Sequence, residues 1–144
     1  MSALQAMYKQ VIMEHSRKPR NAGELPGATH TGEGHNPSCG DGLRLQLQLE
    51  GDTIRDVHAT ATGCAISVAS ASLMTVALRG RTVAQARETA QAFTQMIRTG
   101  EADAALGDLM ALQGVHTLHT RVKCATLPWQ TLDVLLSSPT DTQP

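Results

Sequence analysis

Three cysteines and one aspartate carry the chemical interest of this chain. Cys39 lies in Asn36-Pro37-Ser38-Cys39-Gly40-Asp41-Gly42, with Asp41 two residues beyond it; Cys64 follows Gly63, and Cys124 follows Lys123. The glycines flanking Asp41 permit tight backbone geometry in the first of these segments. Cys64 and Cys124 are each followed by Ala, which leaves room around the sulfur, and each falls near a predicted helix N-terminus. Free N–H groups and the helix dipole at such a position favour thiolate over thiol. All three cysteines fall at junctions between predicted elements, none in mid-strand or mid-helix. Such junctions can gather at one end of a small sheet, where three thiolates and a carboxylate would complete a tetrahedral zinc site. The same donors could hold iron in a cluster. The competing reading is three unrelated buried cysteines, because unpaired cysteine is among the most buried residue types, with Asp41 serving a turn or cap. No C-x-x-C pair occurs, so the strong zinc-knuckle signal is absent. The six histidines read as solvated surface groups; His35 and His119 are the outside candidates for a fourth ligand.

The elements that must position these residues follow from hydrophobic patterning. Leu4 to Arg17 reads as a helix ended by Pro19. The Gly- and Pro-rich stretch from Asn21 to Gly34 leaves room for one short strand near Ala28 to Thr31. Leu43, Leu45, Leu47 and Leu49 alternate with Arg44, Gln46, Gln48 and Glu50, a half-buried strand. After the turn Glu50-Gly51-Asp52, Ile54 to Thr62 forms the second arm of a hairpin. Val57, Ala59 and Ala61 share one face of it. Ala65 to Arg79 is small or apolar on nearly all sides, predicting a mostly buried helix stopped by Gly80. Thr82 and Gln85 make a capping box for a helix running to Thr99 and stopped by Gly100. Asp103 to Leu112 is weaker, helical or irregular. A last helix is predicted from Leu127 to Leu136, with Pro128 in its first turn, where a missing N–H is harmless. The order predicts an α+β class, with helices on one face of a small antiparallel sheet.

Composition narrows the function classes. At 144 residues the chain suits one domain, expected over residues 1–137, with a disordered tail over 138–144. Aromatics are only 2%, so Tyr8, Phe93 and Trp129 supply no base-stacking platform. Twelve basic against thirteen acidic residues removes the electrostatic footprint of a nucleic-acid or membrane-surface binder. The longest weakly polar stretch, Cys64 to Leu78, is interrupted by serines and is too short to span a bilayer. No secretory signal is read at the N-terminus. An odd count of cysteines in a chain able to fold without disulfides points to a reduced, cytoplasmic protein.

The motifs Tyr8…Ile12…His15…Pro19-Arg20-Asn21, Asn36-Pro37-Ser38-Cys39-Gly40-Asp41, Gly63-Cys64-Ala65-Ile66-Ser67 and Arg121-Val122-Lys123-Cys124-Ala125 together resemble the SufU/IscU family of iron–sulfur cluster assembly proteins. The resemblance runs from about Leu4 to Ser137. It implies a three-stranded antiparallel sheet packed on helices, with the site at one end formed by Cys39, Asp41, Cys64 and Cys124. In IscU scaffolds a histidine immediately precedes the third cysteine; here that position is Lys123. The segment between Cys64 and Cys124 is also longer than in the scaffolds, with the extra residues roughly between Gln91 and Asp108. Both features resemble the SufU branch, which implies a zinc-dependent sulfurtransferase that takes persulfide sulfur from a SufS-type cysteine desulfurase and serves downstream cluster-assembly proteins. Pro128 departs from the family pattern and is expected to affect the helix start alone.

Under that resemblance Cys39 is the catalytic acceptor as well as a metal ligand, and a histidine of the desulfurase takes its place on the zinc. Arg121 and Lys123 are the candidates to offset the negative charge of the centre; the alternative is that both are solvated. Two further readings stay open: an IscU-like scaffold for a [2Fe–2S] cluster, and a purely structural zinc site.

Overall fold

The computed structural model describes residues 3–38 and 40–137. The expected tail, residues 138–144, lies outside them, as does Cys39. The chain runs α1 (Ala3–Arg17), β1 (His30–Asn36), β2 (Asp41–Glu50), β3 (Thr53–Thr62), α2 (Ala65–Leu78) and α3 (Val83–Thr99). Two 3₁₀ segments, Ala104–Thr117 and His119–Arg121, then lead into α4 (Val122–Ser137). The strands form one antiparallel sheet in the order β1-β2-β3, so the expected α+β class is observed.

The leucine alternation sets the register of β2 against β3. Leu43, Leu45 and Leu47 stand opposite Ala61, Ala59 and Val57, and all but the partly buried Ala61 are buried. Pairing two alternating strands in this register puts both apolar sets on the face that the helices cover. The other face is not wholly wet. Gln46 is buried there because its side-chain oxygen accepts the Leu25 N–H at 3.0 Å.

Strand β1 is longer and later than predicted. Its sequence, His-Thr-Gly-Glu-Gly-His-Asn, has no apolar alternation to announce a strand. Its glycines are there for close approach: a Cβ on Gly34 would sit 2.1 Å from Thr131 Oγ1, and one on Gly32 would sit 2.7 Å from Leu135 Cδ2. Helix α4 therefore lies directly on β1.

The capping box holds, with Gln85 N–H donating to Thr82 Oγ1 at 3.1 Å and Thr82 N–H donating to Gln85 Oε1 at 3.0 Å. The weak stretch after α3 is 3₁₀, broken at Gly107 (φ 57°, ψ −128°). The predicted start of α4 is corrected: the helix begins at Val122, and Pro128 lies inside it. Pro128 has no N–H to offer the carbonyl four residues back, that of Cys124. The helix continues through it because Leu127, Trp129, Leu132 and Leu135 are all buried. Trp129 stacks on Phe93 of α3 with ring centroids 4.7 Å apart. Among the described residues no helix is long and apolar enough to cross a membrane.

Candidate metal centre

Three element ends meet at one end of the sheet. Asn36, the last residue of β1, pairs with Asp41, the first of β2. Residues 37–40 connect them, so Cys39 belongs to this connection and lies outside the described residues. Strand β3 ends at Thr62 opposite Gly42, and Gly63 carries the chain into α2.

Gly63 is required twice over. Its φ of +125° is a conformation that side-chain-bearing residues rarely adopt, and a Cβ there would lie 2.1 Å from Asp41 Oδ1. The tight passage lets Asp41 reach the start of α2, where its Oδ1 accepts the Cys64 N–H at 3.0 Å. Asn36 Nδ2 donates to Oδ2 of the same carboxylate at 3.4 Å, and Ser38 Oγ donates to Asn36 Oδ1 at 2.8 Å. Asp41 is fully buried. A carboxylate taken out of water needs such donors, and the N-terminal dipoles of two helices add to them.

Cys64 is the N-cap of α2, and its Sγ accepts the Ser67 N–H at 3.5 Å. Cys124, predicted just before the last helix, instead lies within the first turn of α4 and is buried. Both residues are thiols. Behind Cys124, Ser70 Oγ donates to the Ala125 carbonyl at 2.6 Å and accepts from Trp129 Nε1 at 3.2 Å. This fully buried hydroxyl fixes the start of α4 against α2.

The outcome is convergence. One ligand atom each from Asp41, Cys64 and Cys124 lie within 4.8 Å of one another. Tetrahedral zinc takes sulfur at about 2.3 Å and oxygen at about 2.0 Å, which puts donor pairs roughly 3.5 to 3.8 Å apart. Two thiols and a carboxylate, drawn from three separate stretches of chain, thus fit a metal ion with only a small contraction. Their mix of soft and hard donors suits zinc and iron alike. Neither His35 nor His119 joins the group; both are exposed. Arg121 and Lys123 are also exposed, three residues and one residue before Cys124.

Comparison with known proteins agrees with this architecture. The NifU-like N terminal domain pattern matches residues 7–125.

The chain belongs to this family.

Its likeness extends to both branches expected from the sequence. It is 42% identical over 132 residues, 90% of this chain and 89% of the relative, to the zinc-dependent sulfurtransferase SufU of Bacillus subtilis (strain 168). It is 36% identical over 134 residues, 92% of this chain and 84% of the relative, to the iron–sulfur cluster assembly scaffold protein IscU of Streptococcus pyogenes serotype M1. A crystal structure described as that of an iron–sulfur cluster assembly scaffold protein for the SUF system, from Fervidobacterium islandicum AW-1, superposes with a TM-score of 0.85 at 35% identity. It covers 92% of this chain and 98% of that one. The SufU/IscU resemblance is therefore borne out.

Two residues of the quoted motifs have roles that only the structure reveals: Gly63, where a side chain would clash with Asp41, and Asn36, which bonds the same carboxylate.

Proposed function

We propose that this chain is a zinc-dependent sulfurtransferase that accepts persulfide sulfur from a SufS-type cysteine desulfurase for iron–sulfur cluster assembly. The observation that carries the reading is the convergence of Asp41, Cys64 and Cys124 within 4.8 Å. Cys39, in the connection between Asn36 and Asp41, is the fourth donor and the acceptor thiol. Two features support transfer over scaffolding: Lys123 where scaffolds carry histidine, and 42% identity to a protein named for zinc-dependent sulfur transfer.

Bound zinc would keep the thiols deprotonated near neutral pH without oxidising them. Asp41, Cys64 and Cys124 hold the centre, while Asn36 and the Cys64 N–H orient the carboxylate. Arg121, at the end of the 3₁₀ segment before α4, and Lys123, in the first turn of α4, are exposed and moderate its negative charge. Cys39 does the chemistry. Its thiolate attacks the outer sulfur of the donor's persulfide, forming a new S–S bond as the old one breaks. The donor cysteine leaves as thiolate, and Cys39 carries the persulfide away to downstream cluster-assembly proteins. Electrons balance, with no outside oxidant. Such chemistry needs a reducing compartment, in keeping with a cytoplasmic location.

A desulfurase assay tests this directly. Wild-type protein should stimulate alanine release, with mass spectrometry finding one added sulfur atom on Cys39; Cys39→Ala should abolish both. Stimulation by Cys39→Ala equal to wild type would reject the acceptor role. The second reading, a [2Fe–2S] scaffold, draws on the 36% identity to an IscU protein. It predicts a brown protein with charge-transfer absorption as purified. The sulfurtransferase should be colourless, with zinc bound.

A further inference from the structure

We propose that the Ser67 hydroxyl is a positioning group of this centre, donating a hydrogen bond to a ligand sulfur once metal is bound. The inference rests on the zinc reading above and adds a residue to it.

Ser67 is 1% exposed, and its Oγ is buried with no hydrogen-bond partner among the described residues. Buried hydroxyls are rarely left so, and each exception calls for a cause. The chain shows two ordinary outlets for such a group, and Ser67 uses neither. The third residue of a capped helix can bond back to the N-cap N–H, as Gln85 does to Thr82 in α3. In α2 that N–H, of Cys64, is already held by Asp41 Oδ1 at 3.0 Å. A helical hydroxyl can instead bond the carbonyl four residues back, as Thr126 does to Val122 at 3.1 Å and Thr131 to Leu127 at 2.9 Å. Ser67 makes no such bond.

Its surroundings explain what it is for. The Ser67 N–H donates to Cys64 Sγ at 3.5 Å, so the hydroxyl belongs to the residue whose backbone already bonds a candidate ligand sulfur. One turn further along the same helix face, Ser70 Oγ touches the Ala125 carbonyl at 2.6 Å. The face that carries Ser67 therefore looks onto the first turn of α4, where Cys124 sits. A spare O–H on the turn that caps one sulfur, on the helix face turned toward the element that carries the other, gains an acceptor if those sulfurs become thiolates on metal binding, and a charge-assisted bond is the strong kind. Without metal, the hydroxyl contributes no bond to the chain's own stability.

That contrast supplies the test. Full-length Ser67→Ala is compared with wild type in three measurements: metal-free melting temperature, competition for zinc with a chromophoric chelator, and the absorption of the Co²⁺-loaded protein. The expected result is a metal-free melting temperature equal to or above wild type, since an unpartnered buried hydroxyl has been removed. Zinc should be held roughly tenfold more weakly, the scale set by losing an outer hydrogen bond to a ligand. The sulfur-to-cobalt charge-transfer band should move to longer wavelength, because a thiolate that loses a donor gives up its electrons more readily. Wild-type zinc competition and an unmoved cobalt band would overturn the inference. So would a fall in melting temperature as large without metal as with it. Wild-type protein that shows no sulfur-to-cobalt band at all would overturn the metal centre itself, and the role of Ser67 with it.

Discussion

The first turn of helix α2 and its second half, the near and far ends of the helix relative to the sheet's ligand-bearing edge, handle buried polar groups in different ways. At the far end, Ser72 Oγ bonds His15 Nδ1 at 2.7 Å and accepts the Arg20 N–H at 2.9 Å. Thr75 Oγ1 donates to the Ser72 carbonyl at 2.7 Å and accepts from Asn21 Nδ2 at 3.1 Å. This cluster pins α1 and the segment after it to α2, although Arg20 Nη1 beside it is buried without a partner among the described residues. At the near end, Asp41, Cys64 and Cys124 converge while the Ser67 hydroxyl is left open. The hydroxyls of the far cluster are tied by bonds within the chain, whereas the near end gathers three donor groups and leaves the Ser67 hydroxyl unbonded.

Substitutions should separate the ends. The largest effect is expected from Gly63→Ala, which forces a strained φ and drives a methyl into Asp41. It should lose roughly 3 kcal/mol or more of stability and most metal binding, read by denaturant unfolding and metal analysis. Asp41→Ala follows, with zinc affinity down by more than about 100-fold, beyond what outer-shell changes bring, as measured by chelator competition. Ser72→Ala should do the reverse. It removes about 1 to 3 kcal/mol of stability by leaving its partners unpaired, while zinc competition stays at the wild-type value.

The smallest expected effect is a pH dependence at the far end. Burial, followed by the nearby Arg20 cation, holds the His15 pKa below its ordinary value. The unfolded chain then binds more protons than the folded one as the pH falls, so stability drops below about pH 6.5, the unperturbed histidine value. In metal-free protein, unfolding at pH 7.5 and pH 5.5 should show this loss, and His15→Gln should reduce it.

What the sequence announced depended on whether the cause was local. The β2–β3 register follows from the Leu43-to-Leu49 alternation, and the α3 cap from Thr82 and Gln85, because each pattern reads on a single element. Strand β1 was hidden because its determinants, Gly32 and Gly34, are small to admit Leu135 and Thr131 of a helix about a hundred residues later in the chain. The start of α4 was misplaced because Pro128 looked like a first-turn residue, whereas tertiary burial of Leu127 and Trp129 carries the helix through it. At the centre, the donor types of Asp41, Cys64 and Cys124 were legible and their convergence is observed. Ser67 was not legible, since an orphaned hydroxyl exists only in three dimensions.

The most direct test of the centre is zinc K-edge X-ray absorption on the loaded protein. A coordination shell of sulfur at about 2.3 Å with one oxygen at about 2.0 Å, the oxygen signal changing in Asp41→Ala, is the predicted result. A shell made only of nitrogen and oxygen would show that the thiols at the ends of α2 and α4 hold no metal, and would contradict the account.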